Sequence, residues 1–177
     1  SFYPLFLKSR KVTIDSRTVE KNDLFFAFSG ENFNAAKSAE DAIHKGALAV
    51  IVEDKNFANP EINIFYVPST LEFLQELAAF HRDHIKIPVI ALTGSNGKTT
   101  TKEIIHAVLS RKYNVQYTFG NLNNHIGVPL TLLSIKPEHE LAVVEMGANH
   151  KKEIELLCKI AQPNYGYITN FGKAHLE

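Results

Sequence analysis

Thr93-Gly-Ser-Asn-Gly-Lys-Thr-Thr-Thr101, set between the apolar run Pro88-Val-Ile-Ala-Leu92 and the helical pattern Lys102-Glu-Ile-Ile-His-Ala-Val-Leu109, decides the reading of this chain. Strand, Gly-rich turn, Lys-Thr and helix in that order build a cradle for nucleotide phosphates. Gly94 and Gly97 let the backbone turn so that N–H groups, including those of Ser95 and Asn96, converge on phosphate oxygens at the positive end of the helix. Lys98 is the natural cation for the terminal phosphates, the Thr99 hydroxyl is placed to hold Mg²⁺, and Thr100 continues the cradle. The loop is a shortened variant, because G-x-x-x-x-G-K-[ST] requires glycine at the position of Leu92. An ordinary βα turn with a solvated lysine is the bland alternative, and the ordered sequence of strand, turn, Lys-Thr and helix argues against it.

Working outward, strand and helix patterns alternate in two blocks. In the first, Asp23-Leu-Phe-Phe-Ala-Phe28, Ala47-Leu-Ala-Val-Ile-Val52 and Ile62-Asn-Ile-Phe-Tyr-Val67 read as strands. Residues 38–45 read as a helix capped at Ser38, and Ser69 with Glu72 forms a capping box opening a helix that carries Leu71, Leu74, Leu77 and Ala78 on one face. This block closes near residue 86. In the second block, after the phosphate-loop strand and helix, Val115-Gln-Tyr-Thr118, Leu141-Ala-Val-Val-Glu-Met146 and Tyr165-Gly-Tyr-Ile-Thr-Asn170 read as strands. Helices are expected from Pro129 to Ser134 and over 152–161. The alternation predicts an α/β fold: a small N-terminal α/β domain over 1–86, then a partial phosphate-loop domain over 87–177 with a mostly parallel sheet covered by helices on both faces. Ligands sit beyond the carboxyl ends of such strands, so the loops after Leu92, Thr118, Glu145 and Asn170 should converge.

With 177 residues, 45% of them apolar, and a formal net charge of zero, the chain has material for one or two cores and no bulk electrostatic pull toward nucleic acid or membrane. The single cysteine, Cys158, lies in an apolar helical run and reads as a packed thiol rather than a nucleophile. No apolar run spans a bilayer and the first residues lack the core of a signal peptide, which reads as a cytoplasmic location. The ending Lys173-Ala-His-Leu-Glu177, just past a strand, reads as that of a fragment.

Further candidates sit at strand ends. Glu145 closes an apolar strand, where a carboxylate needs a partner; a salt bridge would serve, and so would a Mg²⁺ shared with a nucleotide, the reading Thr99 on a neighbouring strand favours. His175 offers a metal ligand or phosphate contact, or is plain surface. Asn123 and Asn124 suit a polar substrate or a turn. Asp15-Ser16-Arg17 suits a pyrophosphate or a uracil edge, or an Asx-type turn.

Taken together, D-S-R at 15–17 followed by Asp23-Leu-Phe-Phe-Ala, His-Lys-Gly-Ala-Leu-Ala-Val at 44–50, T-G-S-N-G-K-T-T-T-K-E at 93–103, Glu-Met-Gly-Ala-Asn at 145–149 and Ile-Thr-Asn…Ala-His-Leu-Glu at 168–177 resemble the Mur ligase family of ATP-dependent amide ligases in peptidoglycan precursor synthesis. The segment Thr118-Phe-Gly-Asn-Leu-Asn-Asn-His-Ile-Gly-Val-Pro-Leu-Thr131 looks most like the member acting last in the cytoplasm, on UDP-N-acetylmuramoyl-tripeptide and D-alanyl-D-alanine.

The resemblance implies a UDP-gripping N-terminal domain, a central ATPase domain and a C-terminal domain, with ATP and Mg²⁺ as cofactors, and it leans toward a monomer. Carried over by position, Ser16 and Arg17 would lie in the UDP-binding domain and Asn123 and Asn124 near the muramoyl-peptide. Gly94 through Thr100 would hold ATP, Lys98, Glu145 and His175 would serve catalysis, and Thr99, Glu145 and His175 would form the metal site. Where relatives often have Asp-Gly-His, this chain has Asn34-Ala-Ala-Lys37. The family's carbamylated lysine and C-terminal domain would lie beyond Glu177, so this stretch is expected to bind ligands without turnover.

Three rivals make distinct forecasts. A GTPase-like switch would carry N-K-x-D, which does not occur. The preceding ligase of the pathway, which adds the third amino acid, would carry a different segment in place of G-N-L-N-N-H-I-G-V-P. A non-catalytic nucleotide or UDP-precursor binding module would bind without ligation.

Overall fold

The computed structural model describes residues 2–30 and 33–172 and divides into two compact units, 1–77 and 78–177. In the first unit, α1 (Tyr3–Lys8), β1 (Val12–Thr13), β2 (Leu24–Ala27), the short hairpin β3 (Ser29–Gly30) and β4 (Phe33–Asn34), α2 (Ala39–His44), β5 (Ala49–Val52) and β6 (Ile64–Tyr66) follow one another. Its sheet is parallel throughout, in the order β1-β2-β5-β6. All residues of β2 and β5 are buried, as expected for central strands covered on both faces. Phe25, Ala27, Val50, Val52 and Ile64 pack with Ala35, Ala36, Ala39 and Ala42 into one core.

Ser38 is not the cap expected for α2: its side chain makes no capping bond. A 3₁₀ turn, Ala35–Ser38, leads into the helix instead, and Asn34 Oδ1 accepts from Ala36 N–H at 2.9 Å to start that turn. The helix α3 (Thr70–His84) does begin at its expected cap, with Ser69 Oγ accepting from Glu72 N–H at 3.2 Å. Its first amide also bonds to the Glu53 carboxylate, Thr70 N to Oε2 at 3.0 Å.

The division between the compact units falls inside α3, whose last turns bond within the second unit. His81 Nε2 meets Ile135 O at 3.0 Å, and Arg82 donates to Ala161 O at 2.8 Å and Asn164 Oδ1 at 2.9 Å. Burial pushes the His81 imidazole pKa below its ordinary value.

The second unit continues with β7 (Val89–Thr93), α4 (Lys98–Leu109), β8 (Val115–Tyr117), α5 (Gly127–Leu133), β9 (Leu141–Glu145), α6 (Glu153–Ala161) and β10 (Tyr165–Ile168). The sheet is again parallel, ordered β10-β7-β9-β8, so β7 lies between two strands that come later in the chain. Helix α5 starts two residues before the expected Pro129, because Asn124 Oδ1 accepts from Ile126 N at 3.1 Å and Gly127 N at 2.8 Å and opens the turn there. Cys158 is half-buried with Sγ 3.8 Å from Met146 Sδ, and burial pushes its thiol pKa up, as suits a packing residue. Among the described residues no helix is long and apolar enough to cross a membrane.

Candidate functional site

The parallel order of the second sheet brings the carboxyl ends of its strands to one edge, and there the loops after β7, β8, β9 and β10 meet. The loop after β7 ends at Gly97 with φ 76°, and the first helical bond of α4, Thr101 N–H to Gly97 O at 3.0 Å, leaves the amides of Lys98, Thr99 and Thr100 in the opening turn. Those amides and the helix dipole make an anion-binding end. Lys98 Nζ donates to Gly94 O at 2.7 Å, which folds its side chain back over the loop. A cleft of about 330 Å³ opens here, lined among others by Gly94, Ser95, Lys98, Ala148, Asn170 and Phe171.

The loop is held from outside by residues just past β10. Asn170 Oδ1 accepts from Ser95 N–H at 3.0 Å and Asn96 N–H at 3.1 Å, while Thr169 Oγ1 donates to Asn96 O at 2.6 Å. Ser95 Oγ and Gly172 exchange bonds of 2.9 Å in both directions. A side chain at Gly94, where φ is 143°, would place its Cβ 1.9 Å from Thr169 Oγ1, so only glycine fits this approach.

Glu145 ends β9 fully buried. Its Oε1 accepts from Asn123 Nδ2 at 2.8 Å and from Thr99 Oγ1 at 3.3 Å, and its backbone N–H donates to Thr118 Oγ1 at 2.9 Å. Its Oε2 is buried without a hydrogen-bond partner. An ionised oxygen in that position is costly unless its charge is balanced, and Lys102 Nζ stands 3.8 Å from it, near enough to balance charge but beyond hydrogen-bond reach. A divalent cation fits this donor set: two hard oxygens, the Thr99 hydroxyl and the carboxylate, lie side by side next to the anion-binding turn. No cluster of three or more His, Cys, Asp or Glu side chains suited to a metal occurs among the described residues. A nucleotide-linked Mg²⁺ needs none, since one or two protein oxygens and the phosphates suffice.

The structure thus brings Gly94, Ser95, Asn96, Gly97, Lys98, Thr99, Thr100, Asn123 and Glu145 together. It turns the amide of Asn123 onto Glu145, and uses the Oδ1 of Asn124 to start α5. His175 lies outside the described residues. Other contributors escaped the sequence reading, Thr169 among them. Thr118 and Asn170 sit at strand ends already expected to converge, and Lys102, one helical turn after Lys98, shares its face of α4.

Ser16 and Arg17 belong to the first unit and line a separate cavity of about 540 Å³ with Ile14, Asp15, Ala35 and Ser38. Asp15-Ser-Arg is an Asx-type turn, with Asp15 Oδ1 accepting from Arg17 N–H at 2.9 Å. The Arg17 guanidinium also pairs with that carboxylate, Nη2 to Oδ2 at 2.7 Å, and holds the Asp15 pKa down at about 2. The Asn34-Ala-Ala-Lys37 segment supplies Ala35 to the wall of this cavity.

Comparison with known proteins agrees with this geometry. The Mur ligase middle domain matches residues 92–177, and the Mur ligase family catalytic domain matches residues 8–82. The UDP-N-acetylmuramoyl-tripeptide–D-alanyl-D-alanine ligase of Bacillus subtilis is 44% identical over 168 residues, covering 94% of this chain and 36% of that protein. A crystal structure of MurF from Acinetobacter baumannii superposes with a TM-score of 0.85 at 43% identity, over 95% of this chain and 36% of that one. MurF ligase from Thermotoga maritima, solved in complex with ADP, gives a TM-score of 0.84 at 37% identity, over 97% of this chain and 40% of that one. The chain therefore spans a little over a third of the length of the curated relatives it matches.

Proposed function

The chain belongs to the Mur ligase family, and from that premise we propose that it serves the ATP-dependent joining of D-alanyl-D-alanine to UDP-N-acetylmuramoyl-tripeptide in the cytoplasm. The observation that carries this reading is the pairing of the phosphate cradle with the buried, half-unpartnered Glu145 beside Thr99. The dipeptide-adding specificity is supported by the relatives named for that reaction, which share up to 44% of aligned residues with this chain.

In the proposed reaction an oxygen of the tripeptide's terminal carboxylate attacks the γ-phosphorus of ATP, and ADP leaves to give an acyl phosphate. The amine of D-alanyl-D-alanine then attacks the acyl carbon, and phosphate departs with the C–O electron pair as the amide forms. Activation is required because a carboxylate is a poor electrophile at neutral pH. The amides of Lys98, Thr99 and Thr100 and the Lys98 ammonium hold the phosphates and neutralise charge on the transferring group, while Ser95 and Asn96, whose amides are given to Asn170 Oδ1, keep the loop in shape around the nucleotide. For Lys98 this means leaving Gly94 O for the nucleotide. Thr99 and Glu145 would hold Mg²⁺, which when bound supplies further charge neutralisation at the phosphates. Asn123 and Thr118 orient Glu145 for that task.

Domains 1–86 and 87–177 are assigned to the UDP-precursor and to ATP respectively, with Ser16 and Arg17 contacting the UDP moiety from the cavity they line. Asn123 and Asn124, on the loop between β8 and α5, lie near the muramoyl-peptide, and His175 joins the metal site. The working protein is proposed to be a monomer.

The test is calorimetric titration of the chain with UDP-N-acetylmuramoyl-tripeptide, with UDP-N-acetylmuramoyl-dipeptide and ATP·Mg²⁺ as comparisons. Tighter binding of the tripeptide is expected. Equal binding of both precursors would remove the dipeptide-adding assignment, and binding of ATP alone would leave only a nucleotide-binding module.

A further inference from the structure

Lys102 has no part in the reaction proposed above, yet it is fully buried, a rare position for a lysine. Its Nζ donates to Gly120 O at 3.0 Å, lies 3.1 Å from Glu103 Oε1 and 3.8 Å from Glu145 Oε2, and sits 5.6 Å from the centre of the Tyr117 ring. The contact with Glu145 has a specific quality. At 3.8 Å the ammonium is close enough to balance the carboxylate's charge in a buried setting, but too far to take up the lone pairs of Oε2 by a hydrogen bond. The oxygen left without a partner is therefore charge-compensated and still open to a ligand.

Lys102 also closes a ring of contacts. Through Gly120 it fastens the turn that leads to Asn123, and Asn123 Nδ2 in turn holds Glu145 Oε1 at 2.8 Å. Removing the lysine would both unbalance the carboxylate and loosen the residue that orients it.

We propose that Lys102 is a built-in counter-ion and positioning residue for Glu145, keeping the carboxylate set for a divalent cation while none is bound. The inference rests on the reading that Thr99 and Glu145 hold Mg²⁺. In this scheme Mg²⁺ and Lys102 both compensate Glu145, so the lysine matters most when the metal is absent.

The experiment is thermal unfolding of wild type, Lys102→Met, Lys102→Arg and the double variant Lys102→Met/Glu145→Gln, each in ADP with chelator and in ADP with Mg²⁺. Lys102→Met is expected to lower Tm by about 5 °C or more in chelator. Mg²⁺ should restore at least half of that loss, and Lys102→Arg should lose less. Glu145→Gln should relieve the defect without metal, because it removes the uncompensated charge. A Lys102→Met deficit that is the same with and without Mg²⁺, and that Glu145→Gln does not relieve, would overturn the proposal in favour of plain packing. Should Lys102→Met not fold, folding of the double variant supports the counter-ion and its failure overturns it. Titration of wild type with Mg·ATP reads the proposed function separately: no binding would sink that reading, while the metal-free comparison would still decide the role of Lys102.

Discussion

Alanine at Gly94 should damage the second unit far more than alanine at Gly97, although both glycines lie at positive φ, 143° and 76°. At Gly97 an added Cβ meets no atom within 4 Å, so the cost is only that of the left-handed conformation, about 1 kcal/mol. At Gly94 the backbone conformation itself costs an alanine roughly 1–3 kcal/mol. The new Cβ would also stand 1.9 Å from Thr169 Oγ1 and 3.1 Å from Thr169 Cβ and N, an overlap worth about another 1–3 kcal/mol. Thr169 has no free retreat, since swinging its hydroxyl away breaks the bond to Asn96 O and forfeits about 1 kcal/mol. The total is about 4 kcal/mol against about 1. At roughly 5 °C per kcal/mol for a unit of this size, thermal unfolding should separate the two variants by about 15 °C. A Thr169→Ala background removes the clashing oxygen, so Gly94→Ala should cost about 1–2 kcal/mol less there than in wild type. A Gly94→Ala midpoint within a few degrees of that of Gly97→Ala, or an equal loss in both backgrounds, would refute the steric argument.

Three other perturbations follow from the same geometry. Arg82→Met leaves the carbonyls of Ala161 and Gln162 without their side-chain donor and Asn164 Oδ1 with only the Val89 N–H, and denaturant titration should show a loss of about 3 kcal/mol; a loss under about 1 would show those groups to be satisfied by water. The folded pKa of Asp15, about 2, lies below its ordinary value of 3.8, so the stabilisation from its pairing with Arg17 is present above 3.8 and lost as pH falls through 2. Carboxyl NMR should find that low midpoint and see it rise toward 3.8 in Arg17→Ala; an unchanged midpoint would mean Arg17 is not its cause. Asn170→Asp keeps an acceptor for the amides of Ser95 and Asn96 but sets a negative charge at the anion-binding loop, and calorimetry should show ATP binding weakened about tenfold, more at low salt; undiminished affinity would place Asn170 away from the phosphates.

The α/β architecture was legible because its central strands are buried on both faces and so write themselves as uninterrupted apolar runs, as in Leu141–Glu145. The phosphate loop was legible because glycine, lysine and threonine are each demanded by a separate physical need. What could not be read was strand order. Asn170 meets Ser95 only because β10 lies beside β7, and the two residues are 75 positions apart. The same gap hid the bond from Asn123 Nδ2 to Glu145 Oε1, which exists only once β8 is set beside β9 and the turn between β8 and α5 is brought to Glu145. Lys102 was passed over for a different reason. A lysine one turn beyond another on a helix ordinarily reads as solvated, and its burial depends on the turn at Gly120 closing over it. The cap expected at Ser38 failed because a 3₁₀ turn begun by Asn34 had already opened the helical path.

The two sheets differ in how they must come together as the chain is made. In the first, each new parallel strand adds to one already synthesised, β2 to β1, β5 to β2 and β6 to β5, so the sheet grows outward in step with translation. In the second, the earliest strand is an interior one. β7 and the phosphate loop that follows it have no sheet to join until Leu141–Glu145 arrives, and the loop keeps its outer support missing until Thr169 and Asn170 emerge. Long-range pairings of this kind form slowly. A nascent chain halted before Leu141 therefore carries a finished first sheet and a phosphate loop with no sheet to stand on, so the final shape of that loop is a late event in the making of the chain.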